Sequence, residues 1–307
     1  MSALKLSLRA MACEFEVILC GEGVAYLEQV AALALDEVER LGVELNCFNP
    51  TSEVSYVNAE AADRPVMVSP ELFAVLQLAA EVWADTGGAF DITAGPLIEI
   101  WREAERAGRV PGADVIQEAL SGVGMSHVVL DESSNSVRFD REGVGINLGA
   151  IGKGYAVRQA ASILKEYGIE SALISAGKST ICALGDQPGG QGWRIGIRHP
   201  RNLSERVTSV DLRNQAISTS GGVRQVDEAV EEIFEHIIDP LNGAPADSDI
   251  ISASVITEDP ALADALSTAF YLRGKGFASD FCRSREGVEA ILVEAGHGTD
   301  DFLVGRF

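Results

Sequence analysis

Asp264 and Thr268 stand four residues apart in the stretch ADALSTAF, Ala263 to Phe270. Residues i and i+4 share one face of an α-helix, so a carboxylate and a hydroxyl spaced this way can converge on one cation or one phosphate. Both are hard oxygen donors. Such ligands suit Mg²⁺, which takes one or two protein ligands and completes its octahedron with water and substrate phosphate oxygens. The pattern therefore points to phosphate chemistry. A helix start is written just ahead, where Asp259 can cap and Pro260 fits the first helical position. The competing reading makes Asp264 a solvated charge and Thr268 a packing residue, so other segments have to decide.

The glycine-rich run INLGAIGKGYA, Ile146 to Ala156, is not a Walker loop, because Gly154 rather than Ser or Thr follows Lys153 and Asn147 stands upstream. The dinucleotide fingerprint G-x-G-x-x-G is absent too. Gly149, Gly152 and Gly154 would still let backbone approach a ligand at a helix N-terminus, with Lys153 adding positive charge, or they form only a tight turn. In EHIIDPLNG, Glu235 to Gly243, His236 precedes Asp239 by three residues and is a candidate general base or a structural histidine. Asp91 and Thr93 in GAFDITAGPL are a loop pair or an Asx-turn. Ser218 to Gly222 reads as an anion or flavin-contact loop, or as a polar turn. There is no G-x-S-x-G elbow, H-E-x-x-H or kinase signature, so hydrolase, zincin and kinase readings lose their usual support.

The elements that must position these residues follow from periodicity. Cys13 to Cys20 alternates and is rich in β-formers, a strand; Leu27, Val30, Leu35, Val38 and Leu41 then recur at helical spacing, a core-facing helix. Further helices are predicted over 70–86, stopped by Gly87-Gly88, around 96–107 and over 154–167. Strands are predicted at 127–130, 136–139, 145–148, 171–176, 193–197, 209–212, 216–219 and 289–294, and the ISASVIT stretch precedes the ADALSTAF helix. Helices and strands mix without strict β-α-β alternation, which favours an α+β (mixed α/β) architecture over a doubly wound sheet. With no repeat and no linker, residues 1–307 are expected to form a single domain, with room for two subdomains.

Composition narrows the function classes. The 47% hydrophobic and 23% charged content is that of an ordinary globular chain. A formal net charge of −22 repels nucleic acid, and an acidic protein handling an anionic substrate needs a metal ion or placed cations. The five cysteines are scattered without C-x-x-C spacing, as expected of thiols in a reducing compartment. No apolar run suggests a secretion signal or a bilayer span, so the expectation is a cytoplasmic protein without membrane insertion.

Taken in order, FNPTSEVSYVN (48–58), GAFDITAGPLIEIW (88–101), INLGAIGKGYAV (146–157), ISAGKS (174–179), WRIGI with Pro200, STSGG, HIIDPLNG and ADALSTA resemble the FAD:protein FMN transferase family, also called ApbE. The resemblance covers nearly the whole chain. It implies a T-fold-related body of mixed sheets flanked by helices. It also implies binding of FAD and Mg²⁺, and transfer of FMN from FAD onto a Thr or Ser hydroxyl of an acceptor flavoprotein with release of AMP. Carried over by residue, it makes Asp264, Thr268 and the Gly152 carbonyl magnesium ligands and His236 the base for the acceptor hydroxyl. Phe48, Asn58, Lys153 and Ser220 would line the FAD pocket. The chain departs from the family pattern at Asn147, Ala150, Arg158, Lys178, Ser179, Leu241 and Asn242, around the pocket rather than at the metal. Those departures keep two alternatives open: an FAD pyrophosphatase, or an FAD-binding protein that has lost protein transfer.

Overall fold

The computed structural model describes residues 2–199, 202, 205–221, 237–295 and 302–307. In chain order the elements are β1 (Ser2–Ala10), β2 (Cys13–Gly21), α1 (Val24–Glu44), α2 (Glu53–Glu60), β3 (Val66–Met67), α3 (Pro70–Asp85), α4 (Gly95–Arg106), α5 (Ala113–Leu120), β4 (Val128–Asp131) and β5 (Ser136–Phe139). They continue with α6 (Gly152–Glu166), β6 (Ala172–Ala176), β7 (Thr180–Leu184), β8 (Trp193–Arg198), β9 (Arg206–Leu212), β10 (Gln215–Gly221), β11 (Ile250–Thr257), α7 (Pro260–Ser284), β12 (Glu289–Ala295) and β13 (Phe302–Arg306). The chain divides into two compact units, one of Met1–Val43, Ile151–Gly221 and Asp249–Phe307, the other of Glu44–Ala150 and Gly222–Ser248.

The first unit is built on an eight-stranded antiparallel sheet in the order β1-β2-β6-β7-β10-β11-β12-β13. Side chains alternate across a strand. In β2, accordingly, Phe15, Val17 and Leu19 are fully buried while Glu16 and Ile18 are only half-buried. Nearly every residue of β11 is buried, which marks a strand covered on both faces. α7 packs on one face, beside α6. On the other, the two-stranded ribbon β8-β9 contributes Trp193, Ile197, Val210 and Leu212 to a core shared with Cys20, Ala183, Ile217 and Ile256 of the sheet.

The helices of this unit follow their sequence signals. Leu27, Val30, Leu35, Val38 and Leu41 are all buried in α1, as their spacing predicts. The Asp259 side chain accepts from the Ala261 amide and Pro260 opens α7. That helix runs well past ADALSTAF, and only Gly274, at φ 74° and ψ −176°, interrupts it. The polar-apolar alternation ahead of Met11 turns out to be the edge strand β1.

In the second unit, Ser69 caps α3 and Gly87 and Gly88, at φ 60° and 82°, end it. Leu97 and Trp101 of α4 and Ile238 form a small core with apolar residues of α4 and α5. One expectation fails here. Residues 145–148 are not a strand, although Val144, Ile146 and Leu148 are buried in alternation. The Ile146 amide donates to Asn58 Oδ1 and the Asn147 amide to the Ile92 carbonyl, so the extended backbone bonds to a side chain and a turn instead of a neighbouring strand. Among the described residues no helix is long and apolar enough to cross a membrane.

Candidate functional site

Lys153, Ser220, Asp264 and Thr268 lie together in the first unit, around a carboxylate withdrawn from water. Asp264 is 5% exposed and sits in the second turn of α7, where no free helix amide needs an acceptor. Its partners come from three other elements. Oδ1 accepts from Ser218 Oγ of β10 at 2.8 Å and lies 3.2 Å from Thr180 Oγ1 of β7. The two hydroxyls are themselves 2.9 Å apart, so two protons serve three oxygens in a closed cluster. Oδ2 accepts from the Gly154 amide of α6 at 3.0 Å, and Lys153 Nζ stands 4.0 Å away.

Two features of the sequence bring these groups together. Gly154 has no side chain because there is no space for one: a Cβ there would lie 2.4 Å from the Pro260 carbonyl oxygen and 2.7 Å from Asp264 Cβ. The missing methyl lets the start of α6 press against α7 closely enough for its amide to reach the carboxylate. Ser218 and Ser220, two residues apart on β10, then point to the same face of the strand. Ser218 binds Asp264, while Ser220 Oγ lies 3.2 Å from Thr268 Oγ1 and 2.8 Å from Ser267 Oγ. Asp264 and Thr268 are thereby presented along one hydroxyl-lined strand.

The donor set suits a divalent cation. Ser218, Thr180 and Gly154 occupy three of the roughly four lone-pair positions of a carboxylate, which leaves Oδ2 one further direct contact. Thr268 adds a hydroxyl one turn on, and Gly152 opens α6 two residues before the Gly154 amide. No group of three or more His, Cys, Asp or Glu able to hold a metal occurs among the described residues. A carboxylate and a hydroxyl one turn apart are hard oxygen donors of the kind that suits a hard divalent cation.

The other expected residues belong to the second unit. Asn58 closes on Ile146, with Nδ2 donating to its carbonyl at 2.9 Å and Oδ1 accepting from its amide at 2.8 Å, and so shapes the stretch leading to Asn147. Phe48 is 56% exposed, and the Arg102 guanidinium lies over its ring at 4.9 Å. His236 lies outside the described residues. Asp91 and Thr93 form an Asx-type cap: Asp91 Oδ1 accepts from the Thr93 amide and hydroxyl, and Thr93 Oγ1 accepts from the Gly124 amide at 2.6 Å.

Several departures from the family pattern have local explanations. Arg158 pairs with the capping residue Asp259 at 3.0 Å and stacks on Tyr155 at 4.6 Å, fastening α6 to the start of α7. Asn147 Oδ1 accepts from the Gly149 amide. Leu241 and Asn242 lie in a turn in which Asp239 accepts from the Leu241 amide and from Asn242 Nδ2, and Trp101 Nε1 donates to the Gly243 carbonyl. Sequence reasoning missed Thr180 as an anchor of Asp264. Its only signal is a hydroxyl residue opening the otherwise apolar strand TICAL.

The ApbE family model matches residues 11–292, and the chain belongs to that family. An FAD:protein FMN transferase of Klebsiella pneumoniae (strain 342) is 30% identical over 269 residues, covering 87% of this chain and 82% of its own. One from Treponema pallidum (strain Nichols) is 29% identical, with coverage of 88% and 77%. The crystal structure of the ApbE protein of Thermotoga maritima matches with a TM-score of 0.87 at 28% identity, over 99% of this chain and 97% of that one. A flavin transferase ApbE from Vibrio cholerae, with a TM-score of 0.86 at 24% identity and coverage of 99% and 97%, speaks to the fold alone. The mixed α+β fold expected from the sequence is the fold of these proteins.

Proposed function

We propose that this chain is a Mg²⁺-dependent flavin transferase that moves FMN from FAD onto a Thr or Ser hydroxyl of an acceptor flavoprotein and releases AMP. The observation that carries the reading is the mid-helix carboxylate of Asp264, held by donors from β7, β10 and α6 in a chain of the ApbE family. Asp264, Thr268 and the Gly152 carbonyl would hold Mg²⁺, which when bound supplies charge neutralisation at the diphosphate. Lys153 adds a second positive charge beside Oδ2. Ser218 and Thr180 keep the carboxylate in one orientation, and the Gly154 amide fixes its other oxygen.

In the reaction, the acceptor oxygen forms a bond to the phosphorus of the FMN half, the bridging P–O bond breaks, and AMP leaves with that bridging oxygen. His236 would take the proton of the hydroxyl. Phosphoryl transfer of this kind asks the protein mainly for alignment and electrostatic stabilisation. Phe48, Asn58, Lys153 and Ser220 would line the FAD pocket, and residues 1–307 would act as one transferase domain. We place the reaction in the cytoplasm, with neither nucleic acid nor membrane insertion involved. All five cysteines are free thiols, as a reducing compartment would keep them.

The test is incubation of the purified chain with FAD, MgCl₂ and an acceptor flavoprotein. Flavin fluorescence should survive denaturation on the acceptor, with one AMP released per flavin transferred, and Asp264→Ala should abolish both. Free FMN without labelled acceptor would instead make the protein a pyrophosphatase. Tight FAD binding without AMP in any divalent metal would make it a carrier.

A further inference from the structure

The sheet face opposite Asp264 carries a second concave feature. Thr180 and Ser218 point to Asp264, whereas their neighbours Ile181 and Ile217 pack toward the ribbon β8-β9. Between ribbon and sheet lies a cavity of about 380 Å³, with Ile18, Leu173 and Ile181 among its apolar lining and Lys178, Arg198 and Arg206 among its charges. That volume falls within the range of small-molecule clefts.

Several local departures from ordinary β structure coincide here. Lys178, in the turn from β6 to β7, holds φ 64°, a left-handed conformation that favours glycine. Arg198 and Arg206 are direct cross-strand partners, and like charges so placed repel. The ribbon register shifts between Ile197 and Arg198, an irregularity of the kind that re-aims a side chain. A Cβ on Gly196 would lie 2.3 Å from Arg206 Cδ, so the glycine makes room for the arginine stem.

The cations of the lining outnumber its carboxylates, Lys178, Arg194, Arg198 and Arg206 against Glu16 and Glu205. Of the two carboxylates lining the cavity, Glu16 pairs with Lys5, and Glu205 Oε1 accepts from Asn202 Nδ2. Arg194, also in the lining, donates to Ser209 Oγ. Lys178, Arg198 and Arg206 make no ion pair among the described residues, in a chain whose formal net charge is −22. Like charges gathered beside one apolar-lined cavity are a feature that stability does not explain.

We propose that this cavity binds a phosphate-bearing small molecule, at a site separate from the Asp264 cluster. Guanidinium forks match phosphate oxygens bidentately, and the lysine contributes a point charge. A phosphomonoester carries between one and two negative charges near neutral pH, which three cations can offset. The isoleucine and leucine lining suits an apolar or ring-bearing remainder. The inference does not rest on flavin transfer.

The experiment is calorimetric titration of the full chain in metal-free, phosphate-free buffer, with inorganic phosphate in one arm and AMP in the other. Saturable binding that weakens with salt is expected in at least one arm. Tighter binding of AMP would assign the apolar lining to the ligand's ring, and equal binding would assign a bare oxyanion; either result supports the site. Arg198→Ala and Arg206→Ala should each weaken binding about tenfold or more. Gly196→Ala, which displaces Arg206 without changing charge, should weaken it as well. Asp264→Asn should leave it unchanged. Arg206→Glu keeps the test readable should an alanine variant unfold: it turns a repelling pair into an attracting one, so the unfolding temperature should rise while binding disappears. The proposal is overturned if neither probe binds saturably, if the arginine variants bind within twofold of the parent, or if Asp264→Asn abolishes binding.

Discussion

Asp264 in the first unit is buried and Asp91 in the second half-buried, and the two carboxylates take their nearest donors from different places in the chain. Asp91 bonds the amide and hydroxyl of Thr93, two residues on, and caps its own short turn. Asp264 sits inside a helix and draws its donors from residues 46, 84 and 110 positions away. A carboxylate that caps its own turn organises a loop, and further hydrogen bonds from the Met125 backbone and the Trp83 side chain tie that loop to its surroundings. A carboxylate that caps nothing, with distant hydroxyls and an amide arranged around it and one oxygen still open to a further contact, has no such local purpose. The difference separates a folding device from a site, although both residues are shielded acids beside a threonine hydroxyl.

The largest effect that would sharpen this contrast is on catalysis. Asp264→Asn keeps the shape of the side chain and removes its charge. Metal charge stabilisation is worth several kcal/mol, so covalent flavin transfer should fall by about a thousandfold or more. Retention of full transfer, read as acceptor fluorescence, would break the distinction. Gly154→Ala comes next. Its methyl group would overlap the Pro260 carbonyl and Asp264 Cβ, and overpacking of this kind costs about 1–3 kcal/mol. Thermal unfolding should show that loss together with weakened transfer, because α6 can no longer bring its amide to the carboxylate. Ser218→Ala removes one hydrogen bond to a charged group, worth about 1.5–3 kcal/mol. Transfer should fall with it, and Ser218→Thr should restore part of the loss.

These variants also show how far the sequence could be read. The spacing of Asp264 and Thr268, the cap at Asp259 and the glycines of Gly149 to Gly154 are local signals, and the structure places them on one helix and at the start of another. The long periodic helices α1 and α3 were legible for the same reason. The anchors were not. Nothing local ties Thr180 to a carboxylate 84 residues on, and only the pairing of β7 with β10 brings its hydroxyl beside Ser218. β1 has a strand's alternation but becomes a strand by pairing with β2. Residues 145–148 show the reverse, a strand-like burial pattern whose amides bond elsewhere. The eight-residue helix α5 buries no residue fully, so its apolar face left too weak a pattern to find.

The smallest effects fall on Asp91 and test the other half of the comparison. Asp91→Ala removes the cap and should cost about 1 kcal/mol of stability without a specific loss of transfer. Asp91→Asn is subtler, because an amide oxygen can still accept from Thr93. Burial is the largest influence on the Asp91 carboxyl and pushes it above the usual carboxylate range, although its bonds to Thr93 act against the shift. A carboxyl raised in the folded state holds more protons there than in the unfolded chain, so stability falls as pH rises from the unfolded value through the folded one. Above that window the charged group destabilises the fold, and below it the penalty is absent. Asp91→Asn should therefore remove this component of the pH dependence and leave stability at neutral pH equal to the parent or slightly higher. Denaturant unfolding at a series of pH values checks it, and a marked loss at neutral pH would show that the Asp91 charge itself holds the turn.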